Sequence, residues 1–384
     1  MSDPNALRTI LRRAVDEGTV PGAVALVARG DDVDVVAVGH VDTEGTAPMA
    51  RDSLFRMASL TKPVVAATVM TLVDDGLLGL DDPVETWLPE LAKPRVLRTP
   101  SAALDDVVPA ERPITVEDLL SSRAGWGFPS DFSLPGVRAL SAAHQGGLEP
   151  RRAPAPDEWL AGLARVPLLH QPGAAWLYNT CSDLQGVLIA RVTGRPLPQA
   201  LAERLLEPAG MTDTAFEVPP AGRGRFTSQY TPTGSGTLAL ADAPDGQWSS
   251  VPPFPSGAGG LVSTVDDWLA FARMLLADGT AHGRRVLSPA SVRRMTTDHL
   301  TPAQREAARL FLRGQGWGYG GQVDLDRAEP WNVPGRYGWV GGSGTTAHLV
   351  PATGTTAVLL TQVAMTDPEP TPLMRAFWRC AAGV

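Results

Sequence analysis

The chain has 384 residues, a net charge of −8, and is 43% hydrophobic and 19% charged, a composition that suits a soluble globular protein with ample core. No block of Lys or Arg stands out, and no apolar run approaches the roughly twenty residues of a membrane span, so neither nucleic acid nor membrane is an expected partner. Two cysteines, Cys181 and Cys380, give no disulfide framework.

The N-terminal run MSDPNALRTILRRAVDEG predicts a capped amphipathic helix and has no apolar signal core. Asp3 can cap it, Pro4 suits its first turn, and Leu7, Ile10, Leu11, Ala14 and Val15 share one face. A cytoplasmic protein is the expectation. Residues 22–28 and 33–39 predict a hairpin around Arg-Gly-Asp-Asp. A helix then follows Ser59, with apolar residues at helical spacing up to Gly76. Residues 92–113 and 126–157, rich in Pro, Gly, Ser and Ala, predict long loops. Helical patterns resume at 156–163, 182–192 and 199–206. Residues 347–350 and 356–360 predict a second hairpin, and 372–382 a closing helix on whose apolar face Cys380 lies. Strands at both ends predict an α+β fold: one antiparallel sheet built from residues 1–90 and 255–384, flanked by helices. Residues 91–254 form an inserted, mostly helical domain in this reading, with the active site between the two.

Several motifs can be set aside. There is no Gly-x-Ser-x-Gly, no His-Glu-x-x-His and no paired Cys-x-x-Cys, so no metal or other cofactor is expected. Gly316, Gly318 and Gly321 match the dinucleotide fingerprint formally, but no helix pattern follows them and their glycines alternate as in a strand. The six histidines (40, 144, 170, 282, 299 and 348) are scattered, without a nucleophile beside any of them.

Ser59-Leu60-Thr61-Lys62 carries more. Residues three apart in a helix share a face, and a serine at a helix start gains free N–H groups and the positive dipole end. Serine needs a base to become a nucleophile, and a buried lysine can lose its proton to serve. The chain holds two lysines, Lys62 and Lys93, against thirty-one arginines. A lysine retained in such a chain is a candidate for chemistry that arginine cannot perform. The competing reading is a capping serine followed by a surface lysine, and the tetrapeptide alone does not decide.

Its companions do. FRMASLTKPVVAA (55–67), ITVEDLLSSRAGW (114–126), GAAWLYNTCSDLQGVLIARVTG (173–194), SGAGGLVSTVDDWLAFARMLL (256–276) and GWVGGSGTTAHLVP (338–351) occur in order. Together they resemble the serine β-lactamase and penicillin-binding-protein superfamily, in its class C-like branch of esterases, D-aminopeptidases and acyltransferases. The resemblance implies a β-lactamase/transpeptidase-like fold and an acyl-enzyme on Ser59. Lys62 and Tyr178 would be the base and acid, in an order that the sequence leaves open. The N–H groups of Ser59 and Gly342 would form the oxyanion hole, with Gly341 letting substrate lie along the strand edge. The chain departs from the pattern twice. Tyr178-Asn179-Thr180 puts Thr180 where the family has the amide that orients substrate, so that amide is shifted or lost; Asn179 and Thr180 are candidate substrate contacts. Trp339-Val340-Gly341 puts an indole where β-lactamases and many peptidases carry a cation, a pattern associated with the esterases. Arg336 or His348 could restore the charge. Trp126, Phe128, Trp176 and Trp339 are candidates for an apolar pocket, and Cys181 reads as a buried small side chain. The expectation is a serine carboxylesterase acting on a small-molecule ester or acyl donor, with acyl transfer as the first alternative and β-lactam or D-peptide hydrolysis as the second.

Overall fold

The computed structural model describes residues 4–143, 149–234 and 236–384. Asp3 and His144 lie outside them. The first helix, α1, runs Pro4–Asp16. The early hairpin pairs β1 (Gly22–Arg29) with β2 (Asp32–Gly39), turning through Gly30 and Asp31. The remaining strands come from the far end of the chain: β3 (Gly316–Trp317), β4 (Gln322–Val323), β5 (Tyr337–Gly341), β6 (Thr345–Val350) and β7 (Thr355–Thr361). They form one antiparallel sheet in the order β3-β4-β5-β6-β7-β1-β2, so the two termini meet at the β7–β1 pair.

Alternation along the central strands assigns the two faces. Val24, Leu26 and Ala28 of β1, with Val358 and Leu360 of β7, enter the main core. Ala23, Ala25 and Val27, with Ala357 and Leu359, pack beneath α1 and the closing helix Pro372–Ala382. Both faces are covered, which is why β1 reads as a continuous apolar run rather than an alternating one. The helices α2 (Thr61–Asp74), α3 (Thr180–Thr193) and α4 (Val265–Leu276) contribute to the main core, and residues of the 116–209 stretch share it. The closing helix, α5, matches its expected bounds and is capped by Thr371.

The stretches expected to be loops hold more structure. Residues Arg95–Leu97 pair with Val107–Pro109, and Pro135–Ala143 is a helix. Three-residue strands carry too little alternation to be seen in a sequence. A hairpin of Gln229–Pro232 with Leu238–Asp242 was also not foreseen. The glycines of 316–321 make no nucleotide loop. Gly320 lets the chain pass close to α2: with φ +77°, a Cβ there would sit 2.6 Å from the Lys62 carbonyl oxygen.

Candidate active site

Ser59 stands at the end of a tightly held segment. Phe55–Arg56 pairs with Val262–Ser263, Met57 N–H donates to Leu261 O at 2.8 Å, and Thr345 Oγ1 donates to Met57 O at 3.1 Å. Arg56, 2% exposed, anchors the segment from below. Its guanidinium donates to Asp242 and to Thr227 O, and lies over the rings of Phe226 and Trp248. Those contacts hold Ala58 at φ +44°, a left-handed conformation that costs a residue with a Cβ about 1–2 kcal/mol. Residues Ala58–Leu60 then make one 3₁₀ turn, and α2 begins at Thr61. Ser59 is therefore presented just ahead of the helix, with Lys62 in its first turn.

Lys62 is 1% exposed. Its Nζ lies 2.9 Å from Ser59 Oγ, 2.9 Å from Asn179 Oδ1 and 2.6 Å from Ala258 O. Burial brings its pKa down to about 7, and the charge of Asp183 acts upward against that fall. Tyr178 donates its hydroxyl to Ser59 Oγ at 2.8 Å and accepts from Trp339 Nε1 at 2.8 Å. Burial pushes the phenol up to about 12. Trp176, Phe311 and Trp339 surround its ring, with Phe311 stacked at 4.7 Å.

Directions follow from these partners. Asn179 Oδ1 and Ala258 O can only accept, so a neutral Lys62 spends both its N–H bonds on them. Its lone pair is then left for the Ser59 hydroxyl. An indole N–H can only donate, so the Tyr178 hydroxyl is free to donate onward to Ser59. With Lys62 neutral, the chain of bonds runs from Trp339 through Tyr178 and Ser59 to Lys62; with Lys62 protonated, the last bond is donated by Nζ.

Asn179 itself has φ +84° at the start of α3, and its amide reaches Lys62 from one position earlier than the family pattern. Thr180 is fully buried and takes no part in the cavity lining, so its expected contact with substrate is not found. Trp126 is likewise corrected: it is 1% exposed and donates to Val166 O at 2.8 Å, as a core residue. Trp339, expected as a pocket wall, is 4% exposed and turned to Tyr178. Arg336 and His348 are also buried. Arg336 pairs with Asp324, and burial holds His348 neutral.

Gly341 is required by space, since a Cβ there would overlap Thr345 Oγ1 and the Met57 carbonyl. Gly342 has open space around it, and its carbonyl accepts from Met365 N–H at 2.8 Å. A cavity of about 340 Å³ opens at Ser59, walled by Phe128, Trp159, Trp248 and Phe254, with Asn179 and Asp183 on one side. A second, of about 400 Å³, adjoins Trp339 and Phe311. A groove of about 430 Å³ between α1 and α5 holds none of these groups. Sequence reasoning missed Arg56, Asp242, Ala258 and Asp183. Arg56 was legible only as a neighbour of Ser59, Asp183 and Ala258 only as members of motifs whose partners lie far along the chain, and Asp242 lies in none of those motifs.

The Beta-lactamase family model matches residues 7–375. The chain belongs to that family. An uncharacterized protein of Mycobacterium tuberculosis is 42% identical over 347 residues, covering 87% of this chain and 84% of its own. Esterase EstB of Burkholderia gladioli is 31% identical over 382 residues, covering 93% and 90%. Among solved structures, EstCE1, titled a hydrolase with promiscuous acyltransferase activity, superposes with a TM-score of 0.80 at 26% identity, covering 99% of this chain and 98% of its own. The fold is the mixed one of this family, a large antiparallel sheet flanked by helices. Among the described residues no helix is long and apolar enough to cross a membrane.

Proposed function

We propose that the protein is a serine carboxylesterase working through an acyl-enzyme on Ser59. The observation that carries this reading is the directed bond chain ending at Lys62, whose other two hydrogen-bonding positions are taken by obligate acceptors. Lys62 is the general base: with its pKa brought down to about 7, a large share is neutral at neutral pH, whereas a Tyr178 phenol at about 12 is not ionised there. As Ser59 Oγ bonds to the ester carbonyl carbon, its proton passes to Lys62 Nζ. The carbonyl electron pair moves to the oxygen, held by the N–H groups of Ser59 and Gly342. Each such donor contributes about 3–4 kcal/mol in the subtilisin case from which the figure comes. Tyr178 then hands its proton to the departing alkoxide and takes one back from the Lys62 ammonium beside it, so both groups are restored before deacylation. Water repeats the sequence to release the acid.

The apolar walls of the cavity favour uncharged acyl or alkyl groups. Among the described residues the lining holds one arginine, Arg56, which is spent on Asp242, and Asp183 adds a carboxylate, a setting that does not favour a substrate carboxylate of the penicillin kind. The second reading is acyl transfer on the same residues. It is favoured by acyltransferase relatives, among them calJ of Penicillium decumbens at 27% identity over 320 residues. The test is turnover of short-chain p-nitrophenyl esters and of a chromogenic cephalosporin by wild type, Ser59→Ala and Lys62→Arg, with intact-mass detection of the acyl group. Ester turnover that survives Ser59→Ala, or near-normal activity of Lys62→Arg, overturns the mechanism. Cephalosporin turnover exceeding ester turnover overturns the substrate class. Added alcohol acceptors that divert the acyl group favour the transferase.

A further inference from the structure

Asp183 is a buried carboxylate that the mechanism above does not use. It sits on α3, five residues past Tyr178, 5% exposed on the wall of the Ser59 cavity. A charge so placed needs partners. Its Oδ1 accepts from Ser256 Oγ at 2.6 Å and from Ala258 N–H at 3.0 Å. The same Ala258 offers its carbonyl to Lys62 Nζ. Gly257 permits this, because a Cβ there would overlap the Ser182 carbonyl oxygen. The short loop 256–258 therefore carries the carboxylate on one side and the lysine on the other, and both are fixed to its backbone.

Among the described residues the other groups facing Lys62 are uncharged. From α3 and the residues before it come Asn179 and Tyr178, whose ring lies 4.7 Å from Nζ. From the 3₁₀ turn comes Ser59, from the 256–258 loop the Ala258 carbonyl, and from the glycine segment Gly320, which meets the lysine's backbone. Arg56 shares the cavity but is paired with Asp242. Asp183 is the charge that acts on Lys62, and it acts to favour the ammonium.

We infer that Asp183 is a positioning residue for the catalytic lysine: its carboxylate holds the Ala258 carbonyl against Nζ and stabilises the ammonium formed when Lys62 takes the Ser59 proton. This rests on the acyl-enzyme reading. In the step concerned, the Ser59 O–H bond breaks, an N–H bond forms at Nζ, and Oγ bonds to the acyl carbon. The positive charge created on Lys62 is met by a carboxylate already in place, with no reorganisation at the moment of reaction.

Asp183→Asn tests it, because an amide oxygen at Oδ1 can accept both bonds while the charge is lost. The chain holds two lysines, so protein labelled with ¹³C at lysine Cε gives two signals, and Lys93 serves as the internal control. The midpoint of Lys62 is expected to fall by about one pH unit in Asp183→Asn, with Lys93 unmoved. The acid limb of kcat/KM for a p-nitrophenyl ester moves down with it, and the plateau kcat drops about 3- to 10-fold while KM stays within about twofold. Ser256→Ala, which removes one bond but keeps the charge, leaves the midpoint in place. A Lys62 midpoint that is unmoved or raised in Asp183→Asn overturns the inference, as does an equal fall in Ser256→Ala. The NMR titration needs no substrate, so a midpoint shift without ester turnover refutes the esterase reading and leaves the coupling of Asp183 to Lys62 standing.

Discussion

Replacing Trp339 by Phe decides between the two groups that could take the Ser59 proton. The indole N–H donates to the Tyr178 oxygen at 2.8 Å. Phe keeps an aromatic ring in place and removes that donor. If Tyr178 stays a neutral phenol through acylation, the loss is one hydrogen bond between neutral groups, about 0.5–1.5 kcal/mol, or roughly 2- to 13-fold in kcat/KM. If Tyr178 acted as a phenolate base, the lost bond would be to a charged acceptor, about 1.5–3 kcal/mol, or roughly 13- to 160-fold. A phenol at about 12 lies some five units above neutral pH, so making the phenolate there costs about 7 kcal/mol, and removing its donor raises that further. The assay is kcat/KM for a p-nitrophenyl ester across pH 5–9, with Tm recorded because trimming a side chain that is 4% exposed also costs stability. The expected result is a loss under about tenfold with the acid limb still centred near 7, the Lys62 value. A loss beyond about 100-fold, with the acid limb displaced upward, refutes Lys62 as the base.

Lys62→Met exposes what the site costs the fold. The folded pKa of about 7 lies below the usual 10.5, so stability rises with pH between those values, where the unfolded chain binds the additional proton. The inactive Met variant is therefore more stable than wild type at pH 6–7, and its advantage shrinks by up to about 5 kcal/mol toward pH 10.5, measured by urea denaturation at both ends. Arg56→Met leaves Asp242 buried without its partner and should lose about 3–5 kcal/mol of stability, with activity falling because the Ser59 segment loosens. Gly341→Ala should destabilise by about 1–3 kcal/mol through overlap with Thr345 and Met57, whereas Gly342→Ala, with open space and its N–H retained, should fold as wild type by Tm.

The parts whose signal is local are legible in the residues alone. The β1–β2 hairpin follows from two apolar runs and a glycine turn, and α5 from periodicity between Thr371 and Gly383. The pairing of Ser59 with Lys62 follows from a spacing of three at a helix start. Motif order carried Tyr178 to the same site. How those groups face one another is set by packing between residues far apart in the chain. Asn179 reaches Lys62 because a positive φ turns its amide inward, and nothing in a dipeptide Tyr-Asn announces that angle. Trp339 was legible as an oddity at a cation position, but that its indole donates to Tyr178 depends on its packing against Trp317 and Tyr178, residues far apart in sequence. Trp126 and Trp176 looked alike as candidates, and burial made both core. The polarity of the bond chain has the same origin. It is set by which neighbours of Lys62 and Tyr178 can only accept or only donate, and those neighbours, Ala258 and Trp339, are brought in from residues 196 and 161 positions away.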